Sequence, residues 1–507
     1  MERMQLAEAL AAWQGLLGED RVVLDHKTLS LASTATFATT ARVAALLRPN
    51  STAQVQGCLR IASAHGIAVH PVSQGRNWGL GSRVPPTDRS VLLDLGSMCR
   101  ILDFDETLAY ITVEPGVTFR QVSTFLRARG SGLFCAVIGG AADASLVGNA
   151  VERGDGIGPY GRRADYAAAM EVVLATGDVL ETGHGRWAGA QATPIHRAGV
   201  GPGLDGLFLQ SNLGVITRMT FFLAPRPAFL QVLRFALAGP QELARALEAL
   251  RDLAQRGVLG EAGFTFWNKY KLMASEGQYP WAATDGRTPL GLSDLSEPLW
   301  QATGAQYAAS RELGHAARSL IIQALAPFAA VAVFDTESHG ALLEESVFLG
   351  VPSDGNLASA YWRKRLPVPR GGHHLDDDGC GVLFICPVLP LRGVLVAALL
   401  MQIEALVLSF GFEPNLGMHM VEGRSLLAYI AIMFDRSLDG EDARAQACHD
   451  AVLARLIADG HYPFRLASLA MGQLPAPKDA TGAVLASIKA VLDPAQVLSP
   501  GRYEFPR

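Results

Sequence analysis

The chain has 507 residues, of which 49% are hydrophobic and 18% charged, enough to bury a large core and to form two or three domains. Its formal net charge of -5 leaves no basic surplus for nucleic acid, and it has no polybasic or polyacidic run. The opening MERMQLAEALAAWQGLLGED mixes charges with apolar residues and holds no uninterrupted signal core, and six scattered cysteines read as the free thiols of a cytoplasmic protein.

In chain order, VAALLRP reads as a strand, and Ser51 with Gln54 reads as a capping box opening a helix that ends at Gly66. IAVHPV is a second strand, and it runs into the glycine-rich HPVSQGRNWGLGSR of residues 70–83. SVLLDL and YITVEPG follow as strands, and Thr118 with Gln121 caps a helix that stops at Gly130. A second glycine-dense stretch, GGAADASLVGNAVERGDGIGPYG, occupies 139–161. MEVVLATGDVLET reads as a hairpin turning at Thr-Gly-Asp, and NLGVITRMTFFLAP as a strand pair or one long strand.

Beyond Pro225 the pattern changes. PQELARALEALRDLAQRG carries Leu243, Leu247 and Leu250 at helical spacing, and helices then alternate with short apolar strands to about Gly460. The most apolar run, Val394 to Phe410, is short for a membrane span and contains Gln402 and Glu404, so a buried helix is expected. PLGLSDLSEPLW and VPSDGNLASAYWRKRLPVPRGGHHLDDDG read as loop-rich connectors, and the chain closes on a helix and a proline-punctuated tail. Cys58, Cys99, Cys135, Cys380, Cys386 and Cys448 are scattered without a CxxC, as free thiols would be. Adjacent His373 and His374 in GGHHLDDDG read as a solvated turn rather than a metal site.

Successive turn amides form an anion-binding concavity, and glycine lets backbone approach a phosphate. The first glycine loop is neither a GxGxxG opening a helix nor a Walker loop, so on its own it is as readily a surface turn as a phosphate cradle. Two such loops in one mixed domain suit a long cofactor that needs donors at its phosphates and at its rings.

PVSQGRNWGLGSR, VEPGVTF, SLVGNAVERGDGIGPYG, MEVVLATGDVLETG and DGLFLQSNLGVIT together resemble the vanillyl-alcohol oxidase and p-cresol methylhydroxylase (PCMH) family of flavoproteins, and HYPFR and LDPAQVLSPGR extend the likeness weakly. The resemblance implies an α+β fold: a PCMH-type FAD-binding domain of two α+β subdomains over 1–226, a cap domain with an antiparallel sheet flanked by helices over 227–461, and a C-terminal segment, 462–507, that completes the first domain. It implies FAD contacts at Ser73, Gln74, Gly75, Arg76, Asn77, Gly81 and Ser82, at Pro115 and Gly116, and at Ser145, Gly148, Asn149 and Glu152. Gly214, Val215, Ile216 and Arg502 complete that set.

Departures from the family pattern fall on the substrate side. Members that oxidise para-substituted phenols hold the phenolate with two tyrosines and an arginine; the tyrosine positions are Leu80 and Phe464 here, and Arg465 remains. The acid expected before the Gly148-Asn149 pair falls on Gly140, with Asp143 nearby, and the position that tethers flavin in many relatives falls on Val382, so dissociable FAD is expected. Arg465, His419 and Asp378 are the catalytic candidates, His419 being as readily a satisfied structural histidine as a base. Trp78, Leu80, Met418, Phe464 and Val382 are the candidate pocket walls. The expected activity is FAD-dependent oxidation of a bulky small molecule, by hydride loss from a CH–OH, CH–NH or benzylic carbon to flavin N5. Oxygen or an electron carrier would be the acceptor, a homodimer is common among relatives, and no membrane or nucleic acid is involved. A non-oxidative flavin reaction, or a non-catalytic relic, are the alternatives.

Overall fold

Helix starts are set by local caps. Ser51 Oγ accepts from the Gln54 amide at 3.3 Å and opens helix Thr52–His65, but the Gln54 side chain turns back to the Asn50 amide, one residue before the one a capping box requires. Thr118 and Gln121 close a full box at the start of helix Phe119–Ala128. The computed structural model describes residues 2–504 apart from 286–287, 292–294, 366–367, 370 and 478, so parts of the two loop-rich connectors lie outside the described residues.

Strands β1 (Val22–Val23), β2 (Ala45–Leu47), β3 (Val69–Val72) and β4 (Val91–Asp94) form a sheet in the order β1-β2-β4-β3, with β2 and β3 parallel to β4. Next come β5 (Ile101–Asp105), β6 (Tyr110–Val113), the short β7 (Leu133–Phe134), β8 (Ala167–Val173), β9 (Val179–Glu181), β10 (Val215–Phe222) and β11 (Ala224–Pro225). Five of them make an antiparallel sheet, β5-β6-β10-β8-β9, in which β8 and β9 are the expected hairpin; β7 pairs with β11.

The remaining strands are β12 (Phe229–Leu237), β13 (Phe264–Asn268), β14 (Trp300–Ala308), β15 (Val331–Asp335), β16 (Cys380–Pro390), β17 (Asn415–Val421), β18 (Ser425–Asp435) and β19 (Pro463–Arg465). They build one eight-stranded sheet, β15-β12-β14-β13-β17-β18-β16-β19. Because strand side chains alternate between faces, this sheet has two different sides. Phe264, Phe266, Leu416, Ile430 and Ile432 join the core beneath helices Pro240–Gln255, Gly393–Ser409 and Glu441–Ala458. Thr265, Trp267, Gly417, His419, Tyr429 and Met433 border a cavity on the other side.

Helix Gly393–Ser409 is the apolar run noted above. Val396, Leu400, Ile403 and Val407 are buried while Val394 and Met401 are exposed, and each fully buried aliphatic contributes ~1.5–3 kcal/mol. Gly393 is required at its start, since a Cβ there would stand 2.0 Å from the Ala244 carbonyl oxygen. Among the described residues no helix is long and apolar enough to cross a membrane.

The last segment divides. Pro463–Arg465 stays with the eight-stranded sheet, Cys386 facing Arg465 across β16, so the boundary expected at 461/462 does not separate the two units. Later residues do return to the first sheet: Val69 donates to the Val497 carbonyl at 2.8 Å, Ser499 donates to that of Val69 at 2.9 Å, and Lys489 Nζ reaches the Asn212 and Leu498 carbonyls.

Candidate functional site

A cavity of about 490 Å³ lies where the loop after β3, the edge of β10 and the cavity-side face of the eight-stranded sheet meet. The glycine loop forms one wall. Gly75 (φ 65°), Gly79 (φ 79°) and Gly81 (φ 125°) take conformations that favour glycine, and a Cβ at Gly79 would stand 2.2 Å from the Phe384 ring. The loop folds on itself through the Asn77 carbonyl, which accepts from the Leu80 and Ser82 amides. The amides of Gln74, Gly75, Arg76 and Asn77 have no protein acceptor among the described residues, and these four residues border the cavity.

The second glycine stretch supplies the adjoining wall. Ser145 caps helix Leu146–Val151 by accepting from the Gly148 amide at 2.8 Å, and its hydroxyl donates to the Pro115 carbonyl at 2.6 Å. A Cβ at Gly148 would approach Ser145 Oγ to 3.2 Å and Ser73 Oγ to 3.5 Å, so the two loops meet there. Asn149 is held by Arg163 Nη1 at 2.7 Å, and Glu152 pairs with Arg502 and accepts from the Tyr503 hydroxyl at 2.9 Å. Ser73, Ser82, Pro115, Gly214, Val215 and Ile216 also border the cavity.

Two expected cofactor contacts stand behind the wall instead. Gly116 is pinned by its amide to the Met98 carbonyl at 2.7 Å, with its own carbonyl accepting from Gln74 Nε2 at 2.6 Å. Gly81 packs against Ser468, whose Oγ would be 2.6 Å from a Cβ there. Both shape the loops without bordering the cavity.

Of the catalytic candidates, Arg465 and His419 reach the cavity and Asp378 does not. Arg465 Nη2 donates to Asn77 Oδ1 at 2.8 Å, while its buried Nε has no partner. His419 has both ring nitrogens engaged, Nδ1 with Asp155 and Nε2 with the Ala262 carbonyl at 3.0 Å. Burial opposes the imidazolium, yet the Asp155 carboxylate outweighs it and raises the His419 pKa above its ordinary value. With Nδ1 on the Asp155 carboxylate and Nε2 on the Ala262 carbonyl, neither ring nitrogen is free to take a substrate proton, as in a structural histidine. Asp378 is turned to the Tyr361 hydroxyl. Asp143 is ion-paired to Arg120 at 2.7 Å, outside the cavity, and brings no carboxylate to it.

Trp78, Leu80 and Val382 line the cavity; Met418 borders it while packing into the helix-side core. Phe464 stands one layer back, edge-on to the Tyr429 ring at 5.9 Å, and Tyr429 faces the cavity in its place. Burial first, then Asp155, push the Tyr429 phenol well above its usual range, so it is a neutral donor. His373 and His374 lie outside the cavity, His373 edge-on to Tyr361 at 5.6 Å. Among the described residues no group of three or more His, Cys, Asp or Glu side chains is placed to hold a metal ion.

The sequence reading missed Asp155, Ser211, Lys271, Asp376 and Tyr429. Asp376 is the acid that secures the glycine loop, accepting from Trp78 Nε1 at 3.0 Å and from Ser82 Oγ at 2.6 Å. Burial, only partly countered by those two donors, pushes its carboxyl up to about 6. Because that value lies above the unfolded 3.8, ionising Asp376 opposes folding, and stability is lost as pH climbs from about 4 to about 6. Asp376→Asn is therefore expected to gain on the wild type by up to ~3 kcal/mol between pH 4 and pH 7. Parallel urea-unfolding series at the two pH values test this, and an unchanged gap would refute it.

The profile of the FAD binding domain family matches residues 43–183. The chain is 41% identical over 534 aligned positions to the 1'-carboxy-chondrochloren decarboxylase of Chondromyces crocatus, covering 100% of this chain and 98% of that one. It is 26% identical to the 4-cresol dehydrogenase [hydroxylating] flavoprotein subunit of Pseudomonas putida, over 98% of this chain and 95% of the relative. Its fold superposes on p-cresol methylhydroxylase with substrate bound at a TM-score of 0.90 and 24% identity, covering 99% and 97% of the two chains. A 4-ethylphenol oxidase from Gulosibacter chungangensis gives the same TM-score and identity over 99% and 98%.

The residues present fit FAD. Four unpaired amides in one bend suit a diphosphate, and the buried, unpartnered Ser211 Oγ beside Gly214 and Val215 adds a further hydroxyl at the cavity wall. Small side chains at Gly140, Ala141 and Ala144 leave room for a flat ring against backbone.

Proposed function

This chain belongs to the vanillyl-alcohol oxidase and p-cresol methylhydroxylase family of FAD flavoproteins, and on that premise we propose that it oxidises a bulky aromatic acid with loss of its carboxylate as CO2. The observation that carries this reading is the unbalanced charge of the cavity. Arg465 and Lys271 border it without a carboxylate partner among the described residues, whereas the acids that reach it, Asp155 and Glu152, are committed to His419 and Arg502. Full-length identity to a decarboxylase supports the same reading.

The chemistry balances without a base. A hydride leaves the carbon β to the carboxylate, the C–COO⁻ bond breaks, and its electron pair becomes the new C=C bond. One hydride and one CO2 depart per alkene formed, and no proton is abstracted. Bound FAD supplies the two-electron acceptor for that hydride, and oxygen or an electron carrier takes the electrons on.

The chain's own residues bind and orient. The amides of 74–77 would hold the diphosphate, Arg465 offers positive charge beside Asn77, and the neutral Tyr429 phenol, directed toward Asp155, adds a polar group to the cavity wall. Apolar side chains at Leu80 and Val382 exclude water, which strengthens every charge interaction inside. Arg465 thus does without the two tyrosine hydroxyls of the phenol-oxidising relatives, with a single hydroxyl arriving from β18.

The test is stoichiometric. Under anaerobic single turnover with a panel of carboxyl-labelled 3-arylpropanoates, one labelled CO2 is expected per flavin bleached. Bleaching without CO2 would return the enzyme to simple dehydrogenation, and CO2 without bleaching would make it a non-oxidative lyase.

We also propose that the flavin is dissociable. Val382 has no nucleophilic atom, and burial pushes the Cys386 thiol of the same strand up to about 12. Acid precipitation of the yellow protein is expected to leave the flavin in the supernatant; flavin that stays with the pellet would disprove this.

A further inference from the structure

Lys271 has no carboxylate partner among the described residues. It lies in the first turn of helix Lys269–Glu276, where Asn268 at the end of β13 caps the helix by accepting from the Lys271 amide at 3.1 Å. Its stem runs past Gly417 of β17, where a Cβ would stand 3.2 Å from Cε and 3.3 Å from Cδ, so a larger residue there would push the stem aside. Nζ ends 5.1 Å from the Trp267 ring centroid and 3.5 Å from Asn415 Oδ1, at the cavity wall.

The neighbouring elements bring it no counter-charge. β13 carries no charged side chain, β17 carries His419, already balanced by Asp155, and the turn Gly355–Tyr361 carries Tyr361, bonded to Asp378. Beyond Asn268, at 3.4 Å from its Nδ2, lies Glu404, which burial pushes up to about 7. On its own helix Lys271 has Lys269 and Glu276 as charged companions, neither paired with it. Burial alone acts on the Lys271 ammonium and pulls it down to about 8, so it is still charged at neutral pH. An isolated buried ammonium is costly, and an anion entering the cavity offsets that cost.

We propose that Lys271 is the seat of the substrate carboxylate, so that the cavity takes organic acids gripped at one end by Lys271 and at the other by Arg465. This rests on the reading of the cavity as the substrate site. In the sheet order β17-β18-β16-β19, three strand spacings, ~14 Å, separate the backbone beside Lys271 from that of Arg465. The two cations therefore spring from backbone three strands apart, a spacing that suits the two ends of an extended molecule with its β-carbon between them.

Titrating the visible flavin spectrum of the holoenzyme at pH 7 with 4-hydroxycinnamate, whose sp2 β-carbon has no hydride to give up in this reaction, and with its primary amide tests the assignment. The acid is expected to bind about tenfold or more tightly than the amide, the scale of one ion pair in a water-poor site. Lys271→Met should erase the preference and Lys271→Arg should keep it. As pH rises through 8 the wild type should lose affinity for the acid but not for the amide, and Lys271→Arg should lose neither, because guanidinium stays charged. In turnover the change should fall on KM rather than kcat. Equal binding of acid and amide, including no binding of either, or a preference that survives in Lys271→Met, would overturn the proposal. Acid binding through Lys271 without CO2 release would keep this anchor and remove decarboxylation; CO2 release with an unaltered KM in Lys271→Met would do the reverse.

Discussion

Arg465→Ala is expected to slow reduction of the bound flavin by about 10²–10³-fold, the usual effect of deleting one fixed charge or donor that stabilises a transition state in a water-poor site. Arg465 occupies a short strand whose partner is β16 at Cys386, so its position is set by the sheet and not by a flexible loop. Its Nη2 is spent on Asn77, in the bend assigned to the diphosphate, while the buried Nε has no acceptor among the described residues. That leaves a pre-oriented donor and a full positive charge where negative charge builds up, on substrate oxygen or on reduced flavin. Arg465→Lys should recover part of the loss, because an ammonium supplies charge without the planar fork. The measurement is anaerobic single-turnover reduction followed by visible absorbance, with flavin content checked first. A variant that keeps its flavin and is reduced at the wild-type rate would remove Arg465 from the chemistry.

What the sequence disclosed about this site follows from the range of the interactions involved. Caps act across three residues, so Thr118 and Gln121 were legible as a pair, and even the Ser51 cap was recognised although its return bond lands on Asn50. The glycine loops were legible for the same reason, since a bend that needs positive φ declares itself by composition. Lys271, Tyr429 and Asp155 carry no such signal. Lys271, just after β13, and Tyr429, on β18, flank β17 in a sheet whose order departs from chain order, and Asp155 reaches that sheet from the second glycine stretch through His419; nothing short-range in the chain specifies that neighbourhood.

Asp378 and Asp376 show a finer limit. Both belong to the run LDDDG, and two residues of register decide which carboxylate meets Trp78 and Ser82 and which meets Tyr361. The register is fixed by the turn before β16, where the Asp378 amide bonds the His374 carbonyl and the Cys380 amide bonds that of Leu375. Phe464 and Tyr429 illustrate the opposite error, in which the position was right but the layer was wrong. Phe464, a candidate pocket wall, does not border the cavity, and the edge-on ring of Tyr429 stands in its place.

Arg163→Met is expected to lower unfolding stability by ~3–5 kcal/mol and to weaken FAD retention in the same step, the range for removing one member of a buried charged cluster. Arg163 is buried, 2% exposed, and its guanidinium is the point at which several elements are tied. It donates to the Ala136 carbonyl at 2.6 Å, to Asn149 Oδ1 at 2.7 Å and to the Gly161 carbonyl at 3.2 Å, and it lies over the Phe119 ring at 4.6 Å. Gly156 is bare to admit it, since a Cβ there would sit 2.3 Å from Nη2. Methionine fills comparable space but leaves the Asn149 and Ala136 oxygens without a donor, and each unsatisfied buried acceptor costs ~1–3 kcal/mol. The loss reaches the cofactor because Asn149 stands in the second glycine wall, and it reaches the eight-stranded sheet because Arg163 also acts on Asp155, the partner of His419. Arg163→Lys should fall between the two, keeping charge near Asp155 while losing the fork. Urea unfolding of the flavin-free protein separates the folding term from the binding term, and a flavin dissociation constant within twofold of wild type would show that Asn149 does not need Arg163 to hold its place.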